Sequence, residues 1–321
     1  MRTGITMVRL KGVCVYLLAS CRIPGMTRAK ASPPAKPPTR WGQERRLEFI
    51  DFRLRWEGRL NRSDLMAFFG ISVPQASLDI ARYLEAAPTN LAYDRSARIY
   101  VATDAFKPLY SSSSPSRYLS ELLAFEAGIL QPEASFVGWR PPSAHVPAPG
   151  RALDAGVLFA LLRAIRERSA VRLLYQSFQR PDPTTRTLSP HAFAHDGFRW
   201  HVRAYCHTRH EFRDFVIARM LKVESSDETW HGPEDDHDWH AHVELVLAPN
   251  PKLSKPHQRV VELDYGMTDG AVGLACRQAL VFYVLRHLGL DEERASDPKA
   301  QQVVLKNRRL VQKHLKATEP A

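Results

Sequence analysis

The chain has 321 residues, of which 44% are hydrophobic, and its formal net charge is +11. This length suits two or three domains, and this apolar content argues against a wholly disordered chain. Residues 1–110 hold 18 Lys and Arg against 9 Asp and Glu, a net charge of +9. The excess positive charge in the first third indicates a polyanionic partner, with nucleic acid preferred to a membrane surface. A generally basic proteome is the alternative explanation.

The first 40 residues carry two conflicting signals. Arg9 and Lys11 precede a short apolar run that ends in Leu-Ala-Ser-Cys at residues 18–21, which is similar to a bacterial lipoprotein cleavage box. The run is short for a signal peptide, and translation from Met26 would remove it. We therefore expect residues 1–40 to be a disordered or wrongly assigned leader of a cytoplasmic protein, with the choice between Met1 and Met26 left open.

Helical spacing predicts three helices and a β-hairpin between residues 41 and 101. The first helix begins near Trp41, the second covers Ser63 to Phe69 with Ser63 as its N-cap, and the third covers Ser72 to Glu85. A hairpin follows over residues 90–101. This is the order of a winged helix-turn-helix, whose third helix enters the DNA major groove, although three short helices also form plain bundles.

The third helix has a predicted packing side and a predicted DNA side. Val73, Leu78, Ile80 and the pair Tyr83–Leu84 are expected to pack inward, which leaves the polar residues facing outward. Arginines of the same domain are candidates to neutralise phosphates. The predicted DNA-binding residues are Arg45, Arg46, Arg62, Ser72, Gln75, Ala76, Ser77, Asp79, Arg82, Arg95 and Arg98.

A Pro-rich stretch, 132–149, marks the first domain boundary. A helix from Leu153 to Arg168 and a set of short strands follow. The strands are predicted over residues 171–175, 186–193, 198–207 and 212–223. The last eighty residues are predicted to form strands over 243–247 and 259–265 and helices over 273–288 and 297–315.

The alternation along residues 198–206 places His201, Arg203 and Tyr205 on one face of a strand. The same rule groups Arg213, Phe215, Ile217 and Arg219 on a second strand, and Ser189 with His191 on a third. A row of cationic and aromatic side chains is suited to line a cleft that holds an anion. A solvated outer face of a half-buried sheet explains the same pattern, and the alternation does not choose between them.

Several kinds of chemistry have no signature in the sequence. The four cysteines, Cys14, Cys21, Cys206 and Cys276, form no CxxC pair and predict reduced thiols. No apolar run approaches the ~20 residues that span a bilayer. No P-loop, Gly-x-Ser-x-Gly or HExxH motif is present, so we expect no enzymatic activity and no cofactor. The His- and Asp-rich residues 231–242 match no familiar ligand spacing, which predicts a solvated acidic connector without a metal.

Residues 61–100 resemble the winged helix-turn-helix of the BrxR/CapW regulators that accompany bacterial anti-phage systems. The shared features are Gly-Ile-Ser at 70–72, Gln-Ala-Ser at 75–77 and Asn-Leu-x-Tyr-Asp at 90–94. Trp-His-Val at 200–202, with Leu-Ser-Pro-His before it and Arg219 after it, resembles the motif of a WYL domain. His and Val stand where that motif has Tyr and Leu, which leaves the ligand open.

The resemblance covers roughly residues 41–315 and implies an α+β fold. The implied domains are an N-terminal winged helix-turn-helix, a central Sm/SH3-like WYL β-barrel and a C-terminal α/β dimerisation domain. WYL domains bind nucleic-acid fragments or nucleotide-like ligands and thereby control attached DNA-binding domains. Carried over residue by residue, the ligand-binding residues are Ser189, His191, His201, Arg203, Tyr205, Arg213, Phe215 and Arg219.

The expected protein is a homodimeric repressor that binds an inverted repeat of double-stranded DNA and autoregulates a phage-defence operon. Its expected segments are a leader (1–40), the winged helix-turn-helix (41–108), a linker with a short helix (109–150), the WYL domain (151–225), an acidic connector (226–241) and the dimerisation domain (242–321). The alternative is an effector that binds RNA or single strands through the WYL barrel. The operator, the ligand and the direction of its effect stay open.

Overall fold

The computed structural model of the chain describes residues 8–10, 13–15, 38–111, 114–147, 149–291 and 298–315. The predicted leader therefore lies mostly outside the described residues, including Cys21 and Met26. Contacts along the chain separate two compact units, Met1–Pro147 and Ala148–Ala321. Both units combine helices with antiparallel sheets, which confirms the mixed class of the predicted fold.

The first unit contains a short hairpin and then the predicted helices and wing. Its elements are β1 (Val8–Leu10), β2 (Val13–Val15), α1 (Pro38–Glu57), β3 (Arg59–Leu60), α2 (Arg62–Phe69), α3 (Val73–Ala86), β4 (Leu91–Asp94), β5 (Ile99–Ala102) and α4 (Pro115–Glu126). The wing is a three-stranded sheet in the order β3-β5-β4, one strand more than predicted. Ser72 caps α3 as expected, because its hydroxyl accepts a hydrogen bond from the Gln75 amide.

Two local predictions about this unit need correction. The N-cap of α2 is Asn61 and not Ser63, because the Asn61 amide donates a 2.6 Å hydrogen bond to the Asp64 carboxylate. The core also extends beyond the predicted boundary at residue 108. Phe136 is fully buried among the aromatic rings of α1 and α2, and Val137 lies beside it. The predicted linker therefore contributes to the packing of the DNA-binding unit.

The second unit begins with a helix and a five-stranded antiparallel sheet. Its elements are α5 (Ala155–Glu167), β6 (Val171–Tyr175), β7 (Thr184–His195), β8 (Trp200–Cys206), β9 (Glu211–Val216) and β10 (Met220–Ser225). The strand order is β10-β6-β7-β8-β9, and no ladder joins the outer strands β9 and β10 within residues 149–291. The strands predicted over 171–175, 186–193 and 198–207 are confirmed. The single strand predicted over 212–223 was wrong, because a 3-10 turn divides it into β9 and β10, which lie at opposite edges of the sheet. Closure into a barrel is not confirmed.

A β-bulge in β7 adds one side chain opposite β8. Pro190 pairs with Ala204 and Ala192 pairs with Arg203, so His191 is the extra residue between the two pairs. Bulges of this kind redirect side chains next to functional sites. On the other face of the sheet, Val202 and Ala204 pack into a core closed by α5.

The C-terminal part of this unit has its own core. Its elements are α6 (His237–His240), β11 (His242–Pro249), α7 (Lys255–Asp264), β12 (Val272–Arg277), α8 (Val281–His287), β13 (Val303–Leu305) and α9 (Arg308–Leu315). The three strands pair in the order β12-β11-β13. Three predictions were wrong here. Residues 259–265 belong mainly to helix α7, and the predicted helix over 273–288 is strand β12 followed by α8. The predicted helix over 297–315 contains β13 before α9.

Candidate nucleic-acid interface and sensor site

Helix α3 is rotated about its axis relative to the prediction. Ala76, Asp79, Ile80 and Tyr83 form its buried side at the spacing i, i+3, i+4 and i+7. Ala76 and Asp79 therefore cannot contact DNA, and their assignment to the DNA-binding set is wrong. The apolar residues Val73, Leu78 and Leu84, which were expected to pack inward, lie exposed.

The rotation is possible because the charge of Asp79 is paired inside the domain. Arg46 of α1 donates two hydrogen bonds to the Asp79 carboxylate, at 2.6 and 3.3 Å. The side-chain amide of Gln75 donates to the same carboxylate at 3.1 Å. A buried carboxylate with these donors costs far less than an unpaired one. Arg46 thus holds α3 in position through Asp79. The prediction that it binds phosphate does not fit this buried ion pair.

The other predicted arginines fall into two groups. Arg45 lies over the Phe136 ring at 4.1 Å and pairs with Glu48 at 3.2 Å, so contacts within the domain occupy its guanidinium. Burial lowers the pKa of Arg45 from its ordinary value. Arg82, Arg95 and Arg98 have no ion-pair partner among the side chains that the structure describes, and Arg95 and Arg98 lie exposed at the tip of the wing. The cations available to phosphate are therefore those of α3 and the wing.

The remaining predicted DNA-binding residues lie at or near the start of a helix. Ser72, the N-cap of α3, is exposed, and Ser77 on the same helix is half-buried. Arg62 is half-buried at the start of α2, and its guanidinium lies 6.0 Å from the Tyr100 ring centroid. Arg59 is exposed on β3 beside the wing strand β5. It is absent from the predicted DNA-binding set. Its position is set by a strand too short to be recognised from alternation.

A buried polar network joins α3 to α1 and to the wing. Tyr83 donates a 2.7 Å hydrogen bond to the Asp51 carboxylate and accepts one of 3.0 Å from Asn90. Burial raises the pKa of Tyr83 well above its ordinary value, so the phenol stays protonated and donates. Asn90 also donates to the carbonyl of Lys107 at 2.7 Å. The network fixes the angle at which α3 leaves the core.

In the second unit, the side chains of β8 that point away from the core form what we call the sensor face: His201, Arg203 and Tyr205. The structure brings Ser189 and His191 of β7 to the same face, as predicted. Residues 228–240 and the C-terminal helix α8 cover this face, so His201 and Arg203 are buried. The connector is therefore packed against the sheet, and the prediction that it is solvated was wrong.

Asp236 of the connector occupies the centre of the sensor face. Its two carboxylate oxygens each accept a 2.8 Å hydrogen bond from the Arg203 guanidinium. His191, the bulge residue, contacts the same carboxylate at 2.9 Å. Burial alone raises the pKa of Asp236, but the hydrogen bonds from Arg203 and His191 outweigh burial and hold that pKa well below its usual range. The carboxylate is therefore ionised at neutral pH.

Two further groups of contacts surround this ion pair. Ser189 lies 2.9 Å from the His207 ring nitrogen and accepts a hydrogen bond from the His231 amide. Tyr205 stacks on the His231 ring, with centroids 4.2 Å apart. These contacts tie the beginning of the connector to β7 and β8.

His201 faces the C-terminal helix α8. Its Nε2 lies 2.9 Å from the Asp196 carboxylate, and its ring packs 5.0 Å from that of Tyr283. Tyr283 in turn donates a 3.1 Å hydrogen bond to Asp214. Burial lowers the pKa of His201, so the imidazole is neutral at pH 7 and donates to Asp196. His201 Nδ1 has no partner among the described atoms, although it is buried.

Three residues of the predicted ligand set lie elsewhere. Phe215 pairs with Val202 and packs edge-on against Tyr175 in the core, and Arg213 pairs with Ala204 on that same face of the sheet. Arg219 lies in a single 3-10 turn after β9. The pairing places Phe212 and Asp214 on the sensor face instead, so the prediction that Arg213, Phe215 and Arg219 join this face is wrong.

Metal sites and membrane spans are not found among the described residues. No group of three or more His, Cys, Asp and Glu side chains among them is arranged to hold a metal ion, in the His-rich connector or elsewhere. The same part of the chain has no helix that is long and apolar enough to cross a membrane.

The fold and the arrangement of these residues define a regulator with a winged helix-turn-helix and a WYL domain. Profiles of known domains match all three parts of the chain. Residues 42–124 match the BrxR transcriptional regulator winged helix-turn-helix domain, residues 156–225 the WYL domain, and residues 242–311 the BrxR transcriptional regulator C-terminal dimerization domain.

Relatives described as the DNA-binding transcriptional repressor CapW are similar over most of the chain. The relative from Escherichia coli (strain KTE188) is 48% identical over 84% of this chain and 90% of its own length. The Pseudomonas aeruginosa relative is 48% identical with the same coverage, and that of Stenotrophomonas maltophilia is 50% identical, also with 84% and 90% coverage. The chain therefore belongs to the BrxR/CapW family of transcriptional regulators.

Proposed function

We propose that the protein is a homodimeric repressor that binds an inverted repeat of double-stranded DNA through α3 and the wing. The observation that carries this proposal is the domain set: a winged helix-turn-helix in a chain that also matches a dimerisation domain. Arg82, Arg95 and Arg98, which form no ion pair with any side chain that the structure describes, supply the positive charge that phosphate contacts need. The function is binding and not catalysis, in agreement with the names of the relatives.

A binding titration tests the proposal. Purified protein is titrated against the duplex upstream of its own gene and against a scrambled duplex, at several salt concentrations. We expect preference for the native duplex and an affinity that falls steeply with salt. Equal, weak binding to both would contradict sequence-specific repression and favour the alternative, an effector that binds RNA or single strands through the WYL domain.

We further propose that an anionic ligand, a nucleotide or a nucleic-acid fragment, controls this repressor by competing with Asp236 for Arg203. A guanidinium that holds a carboxylate through two parallel hydrogen bonds has the geometry that also binds phosphate. Asp236 holds Nε and Nη2 of this guanidinium and Asp214 lies 3.4 Å from Nη1, so a further anion would meet the ionised Asp236. Ligand binding therefore requires Asp236 to leave.

The position of Asp236 suggests how such a ligand acts on the dimer. Asp236 caps α6, and β11 of the dimerisation domain starts at His242. Displacement of Asp236 therefore loosens the segment that leads directly into that domain. A ligand that favours the displaced arrangement shifts the equilibrium between two states by its difference in affinity for them.

The exchange is tested by calorimetric titration with 5′-AMP and with a trinucleotide. We expect Asp236→Asn to bind the phosphate probe more tightly than wild type, since the competing charge is gone. Asp235→Asn removes the same charge from the exposed neighbouring residue and should behave as wild type. Equal affinities of all three proteins would contradict the exchange. If the ligand releases the operator, the operon that the protein regulates should be derepressed more readily during phage infection in the Asp236→Asn strain than in wild type. Unchanged expression during infection in both strains would contradict the link to phage defence.

A further inference from the structure

The exposed side of α3 is apolar in the N-terminal half of the helix. Val73 and Leu78 are 47% and 45% exposed, and Pro74 and Ala81 beside them are exposed as well. Single exposed apolar residues are ordinary on protein surfaces. Here they share one helix with Arg82, in the most basic part of the chain, where a purely solvated face is expected to be polar.

We infer that α3 recognises thymine in its operator through contacts of Val73 and Leu78 with thymine methyl groups. This inference rests on the proposed function, in which α3 lies in the major groove. The C5 methyl of thymine is the apolar group that base pairs present in that groove. Ser77 and Ala81, between the two larger side chains on this side, are small enough to let the helix backbone approach the base edges.

The contacts of Gln75 support this assignment. Its side-chain amide donates to both oxygens of Asp79, at 3.1 Å each. Bidentate recognition of adenine needs the donor and the acceptor of one Gln side chain together. Because Asp79 holds the amide nitrogen, the orientation of the Gln75 amide is fixed, and Gln75 is not free to turn both its donor and its acceptor to an adenine edge. The one long polar side chain in the first turns of α3 is thus restricted, and methyl contacts carry more of the recognition.

The partner is DNA and not a protein surface because of the charges around the face. Arg82 on α3 and Arg95 and Arg98 on the wing have no ion-pair partner within the described part of the chain. An apolar strip bordered by these arginines fits a groove in which methyl groups lie between two rows of phosphates. A second copy of this chain would bring the same three positive charges to the contact.

Replacing thymine by deoxyuracil removes the methyl group and keeps the base pair. The native upstream duplex is prepared with single T-to-U replacements across each half-site, and the full-length protein is titrated with each duplex. At the contacted thymines we expect the affinity of the wild type to fall roughly four-fold, the size of one lost methyl contact. Leu78→Ala and Val73→Ala should bind the native duplex more weakly and lose their sensitivity to replacement at one position each.

Leu84→Ala is the matched control, since Leu84 is 42% exposed on the same helix but lies in its last turn. It should keep the sensitivity of the wild type at every position. If the wild type prefers the native duplex but no T-to-U replacement weakens binding, methyl recognition is wrong while DNA recognition by α3 stands. If the wild type shows no preference for the native duplex, both proposals fail. If Leu78→Ala changes the sedimentation coefficient but not the thymine sensitivity, the face is a protein contact and the inference is overturned.

Discussion

Arg203 donates two hydrogen bonds of 2.8 Å to the carboxylate of Asp236, across 33 residues of sequence. Both side chains are almost completely buried, so the pair is a structural element as well as the proposed ligand switch. The two roles make separate predictions, one for stability and one for ligand affinity.

Asp236→Ala should lower the free energy of unfolding of the second unit by about 3–5 kcal/mol, because it leaves the buried Arg203 without its main partner. Asp235→Ala, at the exposed neighbouring position, should change it by less than about 0.5 kcal/mol. Differential scanning calorimetry of both variants measures the difference. Equal transition temperatures for Asp236→Ala and wild type would show that the pair contributes nothing to the fold.

Acid should destabilise the second unit in the range where His201 titrates. Burial lowers the pKa of His201 in the folded state from its ordinary 6.5. The unfolded chain therefore takes up this proton at a higher pH than the folded chain. The stability that depends on a neutral His201 is fully present above pH 6.5 and is lost as the pH falls. The loss is up to about 1.4 kcal/mol per pH unit between the two pKa values.

The groups that face His201 are Asp196, Arg199, Asp214 and Tyr283. His201→Gln keeps a donor for Asp196 and removes the titration, so melting temperatures between pH 7.5 and 5.5 should decline less steeply than in wild type. Burial also lowers the pKa of His207, but His207 is present in both proteins. Identical slopes would contradict a role for His201.

Arg46 and Arg82 should differ in what they affect. Arg82→Ala should weaken DNA binding and reduce the slope of log affinity against log salt by about one, with little change in stability. Arg46→Ala leaves Asp79 buried without its cation and should cost about 3–5 kcal/mol of stability. Anisotropy titrations and chemical denaturation of both variants separate the two effects. A change in salt slope for folded Arg46→Ala equal to that of Arg82→Ala would restore Arg46 to the phosphate-binding set.

Tyr83→Phe should lower the stability of the first unit by about 1–3 kcal/mol, since the Asp51 carboxylate loses a buried donor. Tyr93→Phe makes the same chemical change on the exposed wing strand β4 and should be nearly neutral. Urea denaturation followed by circular dichroism compares them. A neutral Tyr83→Phe would mean that the network does not hold α3 in place.

Local signals predicted the helices and strands well where they were strong. The Ser72 cap and the Gly70 break fixed α3, and alternation located β8. The facing of α3 escaped prediction because the partner that neutralises Asp79 lies 33 residues away in the sequence. In the C-terminal part, Ser254 and Pro256 were a usable start signal for α7, but the β-branched pair Val260–Val261 favoured a strand.

The ligand set was only partly predictable for a related reason. Alternation correctly grouped His201, Arg203 and Tyr205, but alternation within one strand does not state which face of the next strand joins them. That depends on the register, which pairs Arg203 with Asp214 and not with a predicted residue. No periodicity in the sequence indicated that Asp236 would pair with Arg203, because the two residues meet only after the connector folds back over the sheet.

The bulge at His191 also separates the length of β7 from the register of the sheet. Pro190 pairs with Ala204 before the bulge, and Ala192 pairs with Arg203 after it, so His191 occupies no pairing position of its own. A chain that lacked this one residue would therefore keep every pair between β7 and β8 and lose only the side chain that contacts Asp236. A change of length at this point of the strand would alter the surroundings of the buried ion pair without moving the core.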